Sequence, residues 1–237
     1  MKRISGELFK RYNMKPVIII ILLIIGFAQS VNSQIPYFAP TVGDRNLYGY
    51  TSLKLRPSVN VHETYTTFQY GIGNLTATGL DLYTSGHSTY GGILARFGYS
   101  FSKWFKIGAQ ITPSFEISDN MRFSYLTNAL YMNGNITHSG KYFWVANTWY
   151  TVNRESSDTI NQFLYLGATY SLPRGQAITP MLGTIYSWEF NHKADLTFGA
   201  YWSIEQFNIY LWTNDILERH PRVVIGIDFT LPTGASR

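Results

Sequence analysis

Phe105-Lys106-Ile107-Gly108-Ala109-Gln110-Ile111-Thr112-Pro113-Ser114-Phe115-Glu116-Ile117 alternates strictly between two kinds of side chain. Phe105, Ile107, Ala109, Ile111, Pro113, Phe115 and Ile117 share one parity. Lys106, Gly108, Gln110, Thr112, Ser114 and Glu116 share the other. Successive side chains of a β-strand point to opposite faces, so the segment is a strand with one apolar and one polar face. Its length carries as much information as its period. Strands of soluble sheets cluster near about 5–6 residues, whereas a tilted strand needs about 9–11 to cross a bilayer.

The pattern recurs outward from this stretch. Ile93, Ala95, Phe97, Tyr99 and Phe101 oppose Arg96, Gly98 and Ser100. Ala194, Leu196, Phe198, Ala200, Trp202 and Ile204 oppose Asp195, Thr197, Gly199, Tyr201 and Ser203. Near the end, Val223, Ile225, Ile227, Phe229 and Leu231 oppose Arg222, Gly226, Asp228 and Thr230. Turn-forming residues separate the runs, among them Gly73-Asn74, Ser85-Gly86, Ser118-Asp119-Asn120, Asn133-Gly134 and Pro173-Arg174-Gly175. Twelve strands are expected, over 47–56, 58–72, 76–84, 90–101, 105–118, 121–132, 141–153, 160–171, 178–190, 194–204, 207–216 and 222–231. Ten is the alternative, with Pro57 bending a single strand. The polar parity is rich in Gly, Ser and Thr, which suits a tightly filled lumen better than a solvated sheet. Aromatics near strand ends (Tyr70, Tyr90, Trp104, Phe105, Tyr150, Trp188, Phe190 and Phe207) would sit at lipid headgroups.

Composition points the same way. Charged residues make up 14% of the chain against about 25% in ordinary soluble domains, while aromatics reach 16%. Mean hydropathy is near zero at −0.08, as expected if apolar residues occupy every second position. There is no cysteine, so an exported form would be held by hydrogen bonds, packing or a membrane rather than by disulfides.

The N-terminus reads differently. Lys2, Arg3, Lys10, Arg11 and Lys15 precede an apolar run from Val17 through Ile25, and small residues follow at Ala28, Ser30 and Ser33. Basic head, short apolar middle and small-residue exit are the parts of a secretory signal. The run falls short of the roughly 20 residues of a membrane helix. A start at Met14 gives a segment of more ordinary length, and cleavage fits after Ser30 or Ser33. The expected organisation is a signal over 1–33, an irregular lead-in over 34–46, a barrel over 47–231 and a tail over 232–237. Loss of 1–33 leaves 14 basic against 13 acidic side chains and no basic run, so no nucleic-acid partner is expected.

In its signal, its alternating strands and its closing strand Arg222–Leu231 with Phe229, the chain resembles the superfamily of Gram-negative outer-membrane β-barrels. Gly73-Asn74-Leu75 and Ser102-Lys103-Trp104-Phe105 are similar to that superfamily's periplasmic turns. The resemblance implies an all-β, antiparallel up-and-down transmembrane barrel with both termini on the periplasmic side. It also implies contact with outer-membrane lipid and with the barrel-insertion machinery during biogenesis. Pro232–Arg237 depart from the pattern, because such chains usually end on the aromatic of the final strand. No subfamily is indicated.

Parity puts Asp81, Arg96, Lys106, Glu116, Arg122, Glu189, Asp195, Arg222 and Asp228 on the lumen side. Either they line a water-filled path and set its ion preference, or they pair across a filled interior. Mixed signs argue against strong selectivity for one ion charge. A passive channel for small polar solutes is the leading expectation. The alternatives are an enzyme of lipase or protease type at the extracellular rim and a non-conducting structural or adhesive barrel. His62, His87, His192 and His220, with Glu63, Glu189, Asp195 and Glu218, would gather near that rim. No pair has a ligand spacing, and His87 and Ser88 are adjacent, so on a strand they would point apart. No catalytic, metal or cofactor residue is therefore expected.

Overall fold

A computed structural model describes residues 41–56, 61–187, 193–217 and 221–233. The expected signal and most of the lead-in lie outside the described residues, as do Trp188, Glu189, Phe190, His192, Glu218 and His220.

The described chain is almost entirely strand: β1 Asn46–Arg56, β2 Val61–Ile72, β3 Thr76–Ser85, β4 Ser88–Ser100, β5 Lys106–Glu116, β6 Arg122–Asn135, β7 Tyr142–Asn153, β8 Thr159–Ala168, β9 Tyr170–Ser171, β10 Gln176–Ser187, β11 Lys193–Ile204, β12 Phe207–Asn214 and β13 Arg222–Pro232. Both β8 and β9 pair with β10, so the two form one stave interrupted at Thr169. The barrel thus has twelve staves, the number expected. The interruption escaped the sequence because one irregular residue barely disturbs alternation. Its backbone N–H is still satisfied, donating to Lys141 O at 2.9 Å, and its hydroxyl meets that of Thr179 at 3.1 Å.

Each stave pairs antiparallel with its sequence neighbour, and β1 pairs with β13 to close the sheet. Closure sets Tyr48 opposite Thr230 and Tyr50 opposite Asp228. No described edge strand is left open to pair with another chain. The start of β1 and the end of β13 lie at one end of the barrel, called terminal here; the other end is distal. Connections at both ends are short, and Gly73 and Gly86 turn with φ of 69° and 59°, a region that disfavours other L-residues.

The outer surface carries the apolar parity. Leu80, Ile93, Phe97 and Leu166 are each about 60% exposed (60%, 61%, 58% and 58%), and similar side chains continue around the sheet. Such a belt is far larger than the apolar patches of soluble monomers and matches lipid. Tyr70 and Phe207 face outward at the terminal end and Tyr150 at the distal end, with Trp104 and Phe105 exposed in a terminal turn. Tyr90 corrects the expectation of a rim aromatic. It shares the parity of Leu94 and Arg96, points inward, and packs between Tyr83 at 6.0 Å and Tyr125 at 5.5 Å. Parity outranks nearness to a strand end.

Candidate functional site: a cavity above a packed floor

The lumen is divided along its length. In the terminal half, side chains fill it. Tyr48, Leu94, Thr169, Thr179 and Asp228 have no solvent-accessible surface, and Arg96, Val145 and Met181 have almost none. Glycines on the inward parity make the close packing possible. A Cβ on Gly226 would fall 2.0 Å from the Tyr210 hydroxyl and 2.4 Å from the Thr51 carbonyl oxygen. Without it, Tyr210 reaches that carbonyl and donates to it at 3.3 Å.

Polar groups in this floor are held by one another. Arg96 lies over the Tyr131 ring, 4.0 Å from its centroid, and donates to Gln69 Oε1 at 3.4 Å. Ser203 donates to Asn208 Oδ1 at 2.5 Å, and Asn208 Nδ2 donates to Asp228 Oδ1 at 2.6 Å. The other Asp228 oxygen, the Tyr48 hydroxyl and the Thr230 hydroxyl are buried without a hydrogen-bond partner among the described residues. Tyr48 and Thr230 are paired in register and Asp228 is two residues along, so these three atoms share one region of the floor.

Above the floor is a cavity of about 480 Å³ that reaches the distal rim at Ser156. Nine tyrosines, two tryptophans and one phenylalanine face it. Tyr50 and Tyr210 stack at 5.4 Å with an 8° interplanar angle. Tyr210 continues to Tyr201 at 5.2 Å, and Trp212 packs on Tyr165 at 4.9 Å. Another wall is polar: Gln110, Thr112 and Ser114 on β5 face the same space. Gln110 is fixed from two sides, donating to Thr112 Oγ1 at 3.0 Å and accepting from the Tyr131 hydroxyl at 3.1 Å.

The cavity's basic side chains sit in ion pairs. Lys54 pairs with Glu63, and Arg222 pairs with Asp215. Asp81 lies on the cavity wall, and its Oδ1 is buried without a hydrogen-bond partner among the described residues.

The residues expected in the lumen occupy quite different places. Asp81 and Arg222 line the cavity, while Arg96 and Asp228 are buried in the floor. Asp195 is buried and accepts from the backbone N–H groups of Leu196 at 2.5 Å and Leu217 at 3.1 Å, anchoring the connection after β12. Lys106 is half-buried at the start of β5, toward the terminal end. Glu116 is at the distal end of β5 and accepts from Ser118 at 3.3 Å. Arg122 is exposed at the distal rim, pairing with Asp119 at 3.6 Å and Glu155 at 2.6 Å, so its partners are loop carboxylates rather than lumen groups. Glu189 lies outside the described residues. Among the histidines expected at the rim, His62 and His87 are exposed at the distal end. His138, which is not in that set, lies at the terminal end beside Trp104, with ring centroids 5.9 Å apart.

The aromatic lining was missed by looking for charge. Its signal was present in the alternation, since Tyr201 stands on the same parity as Asp195, Thr197 and Ser203.

Comparison with known proteins gives a likeness of fold. No family model matches the chain, and no curated protein matches it. Among solved structures, a KdgM porin superposes with a TM-score of 0.54 at 13% identity, covering 77% of this chain and 98% of that one. The KdgM porin in complex with disordered oligogalacturonate superposes at 0.51, also with 13% identity, covering 78% and 98%. The chain shares the fold of these porins, a closed antiparallel barrel of twelve staves with an apolar girdle.

Proposed function

We propose that this barrel sits in the outer membrane as a narrow channel for small uncharged polar solutes, loaded through the distal cavity. The observation that carries the reading is the cavity itself: about 480 Å³, reaching the distal rim, with its basic side chains in ion pairs. Such a volume lies in the range of small-molecule sites. With termini periplasmic, as in the superfamily it resembles, the distal mouth faces the outside of the cell.

One similar structure is a porin holding oligogalacturonate, a chain of carboxylate-bearing sugars. Passing a polyanion calls for cations that are not already matched. Here Lys54 is matched by Glu63 and Arg222 by Asp215, which supports uncharged cargo. The floor restricts passage to solutes that side-chain motion can admit.

A second reading is a non-conducting barrel with a blind external cavity, and the packed terminal half favours it. Refolded protein in liposomes separates the two. Swelling with glycerol and small sugars, falling steeply with solute size, supports the channel. Liposomes that stay as tight as protein-free controls to every solute overturn it in favour of the closed barrel.

A further inference from the structure

We infer that the terminal rim between β4 and β10 is a docking surface for anionic phospholipid headgroups, of which phosphatidylglycerol is the type. The inference rests on the barrel lying in a membrane, as proposed above, and not on its conducting solutes. Three successive connections of that end form the sector: those between β4 and β5, between β6 and β7, and between β9 and β10. They carry Lys103, Lys141 and Arg174 in turn. No Asp or Glu occurs in 97–111, 129–147 or 165–181, the stretches that build these connections and the strand ends beside them.

Elsewhere on the barrel, cations are matched by carboxylates. Arg122 pairs with Asp119 and Glu155, Lys54 with Glu63, and Arg222 with Asp215. Among the described residues, Lys103, Lys141 and Arg174 are in no ion pair. The two lysines meet rings instead. Lys103 Nζ lies 5.1 Å from the centroid of the Trp104 ring, and Lys141 Nζ lies 5.0 Å from that of Tyr142 and 4.8 Å from that of Tyr170. A ring face orients an ammonium without cancelling its charge, and an ammonium has three donors to share. The backbone under each lysine is fixed in the same way. The Lys103 carbonyl accepts from Asn135 N–H at 2.9 Å, and the Lys141 carbonyl accepts from Thr169 N–H at 2.9 Å. Thr169 is the residue that interrupts the stave of β8 and β9, so the interruption supplies that donor.

Depth follows from the apolar neighbours. Phe101, Ile136 and Leu172 are exposed, one in each connection. Every cation of the sector therefore stands beside a side chain that continues the outer apolar belt, at the level where hydrocarbon gives way to headgroups. From there a long basic side chain reaches phosphate while its stem stays in apolar surroundings. Each such side chain favours anionic lipid by roughly fivefold. Phosphatidylcholine and phosphatidylethanolamine carry a cation of their own beside the phosphate, so they answer the surplus charge poorly. Phosphatidylglycerol carries the phosphate alone. An acidic protein would have to reach the edge of the apolar belt, where lipid already stands.

The test uses the full chain refolded into phosphatidylcholine vesicles that contain a small, equal fraction of brominated phosphatidylglycerol or brominated phosphatidylcholine. Bromine quenches nearby tryptophan emission, and Trp104 is exposed beside Lys103. Brominated phosphatidylglycerol should quench more, by an amount that corresponds to roughly fivefold enrichment or greater beside the sector. The excess should disappear in Lys103→Gln/Lys141→Gln/Arg174→Gln and shrink in Trp104→Phe. If the triple variant refolds poorly, salt tests the unaltered chain: the excess should collapse between 0.1 M and 1 M, where the screening length falls from about 10 Å to about 3 Å. Equal quenching by the two lipids overturns the inference, as does an excess that survives the triple substitution or 1 M salt. Polyglutamate that binds the inserted barrel while phosphatidylglycerol shows no excess also overturns it, in favour of an acidic protein partner. Insertion without lipid preference removes this surface and leaves the membrane placement standing, whereas failure to insert into either vesicle removes both.

Discussion

The guanidinium carbon of Arg96 sits 4.0 Å from the centroid of the Tyr131 ring, in the packed floor of the lumen. Arg96 is among the largest fully buried side chains in the barrel. Its side chain therefore fills a large share of the floor, and truncating it opens space there. Arg96→Ala should open the constriction and raise single-channel conductance in a planar bilayer. It should also lower the unfolding free energy by about 2 kcal/mol, the scale of a desolvated cation–π contact. Equal conductance in the two proteins would place the constriction elsewhere.

Gly226 tests the packing around Tyr210. An alanine methyl there meets the Tyr210 ring and also the backbone oxygen of Thr51, 2.4 Å away, which cannot swing clear as a side chain can. Gly226→Ala should destabilise the barrel by about 1–3 kcal/mol, the usual cost of overpacking. A urea refolding titration followed by the gel mobility of unboiled samples measures this. An unchanged midpoint would mean that Tyr210 has another place to go.

Ile225, the preceding residue, tests the opposite face. It is 46% exposed on the outer surface, between Leu53 and Leu211 in register. Ile225→Arg should cost about 2–4 kcal/mol if the residue lies near the bilayer midplane, and less toward a rim. The same titration in lipid vesicles reads it. A silent substitution would show that this face does not meet hydrocarbon.

The pair of Lys54 and Glu63 tests the charge balance of the cavity. Glu63→Gln leaves the Lys54 ammonium unmatched, so the reversal potential across a salt gradient should move toward anion preference. Lys54→Gln should move it toward cations. Both shifts should shrink as salt rises, because the screening length is about 10 Å at 0.1 M and about 3 Å at 1 M. Shifts of the same sign in both variants would mean that the pair does not border the conducting path.

Much of this was legible in the primary structure. Facing was legible wherever alternation was clean: Ile225 outward and Gly226 inward, or Phe97 outward and Arg96 inward, follow from the geometry of an extended chain. The twelve staves were legible because turn residues interrupt the apolar parity at intervals set by the bilayer. Two readings failed for local reasons. Tyr90 was placed by its nearness to a strand end, although its parity points inward. The break at Thr169 leaves the residues on either side in alternation, so it is nearly silent in the pattern.

The site was far less legible. Asp81, Arg96, Arg122 and Asp228 look alike in the alternation, yet they divide among cavity wall, buried floor and exposed rim. Alternation states which way a side chain points and not how far along the barrel axis it sits. Depth depends on strand tilt and on the stagger accumulated around the closed sheet. The sequence by itself therefore determined which face of each cleanly alternating strand is apolar and narrowed the staves to twelve or ten, because these follow from a period of two and from strand lengths matched to a bilayer. Only the tertiary structure decided that β13 closes onto β1, that β5 faces β12, and that Tyr210 lies across the lumen from Thr112. Those relationships join residues from about a hundred to nearly two hundred positions apart through the register of every pair between them, which no local pattern encodes.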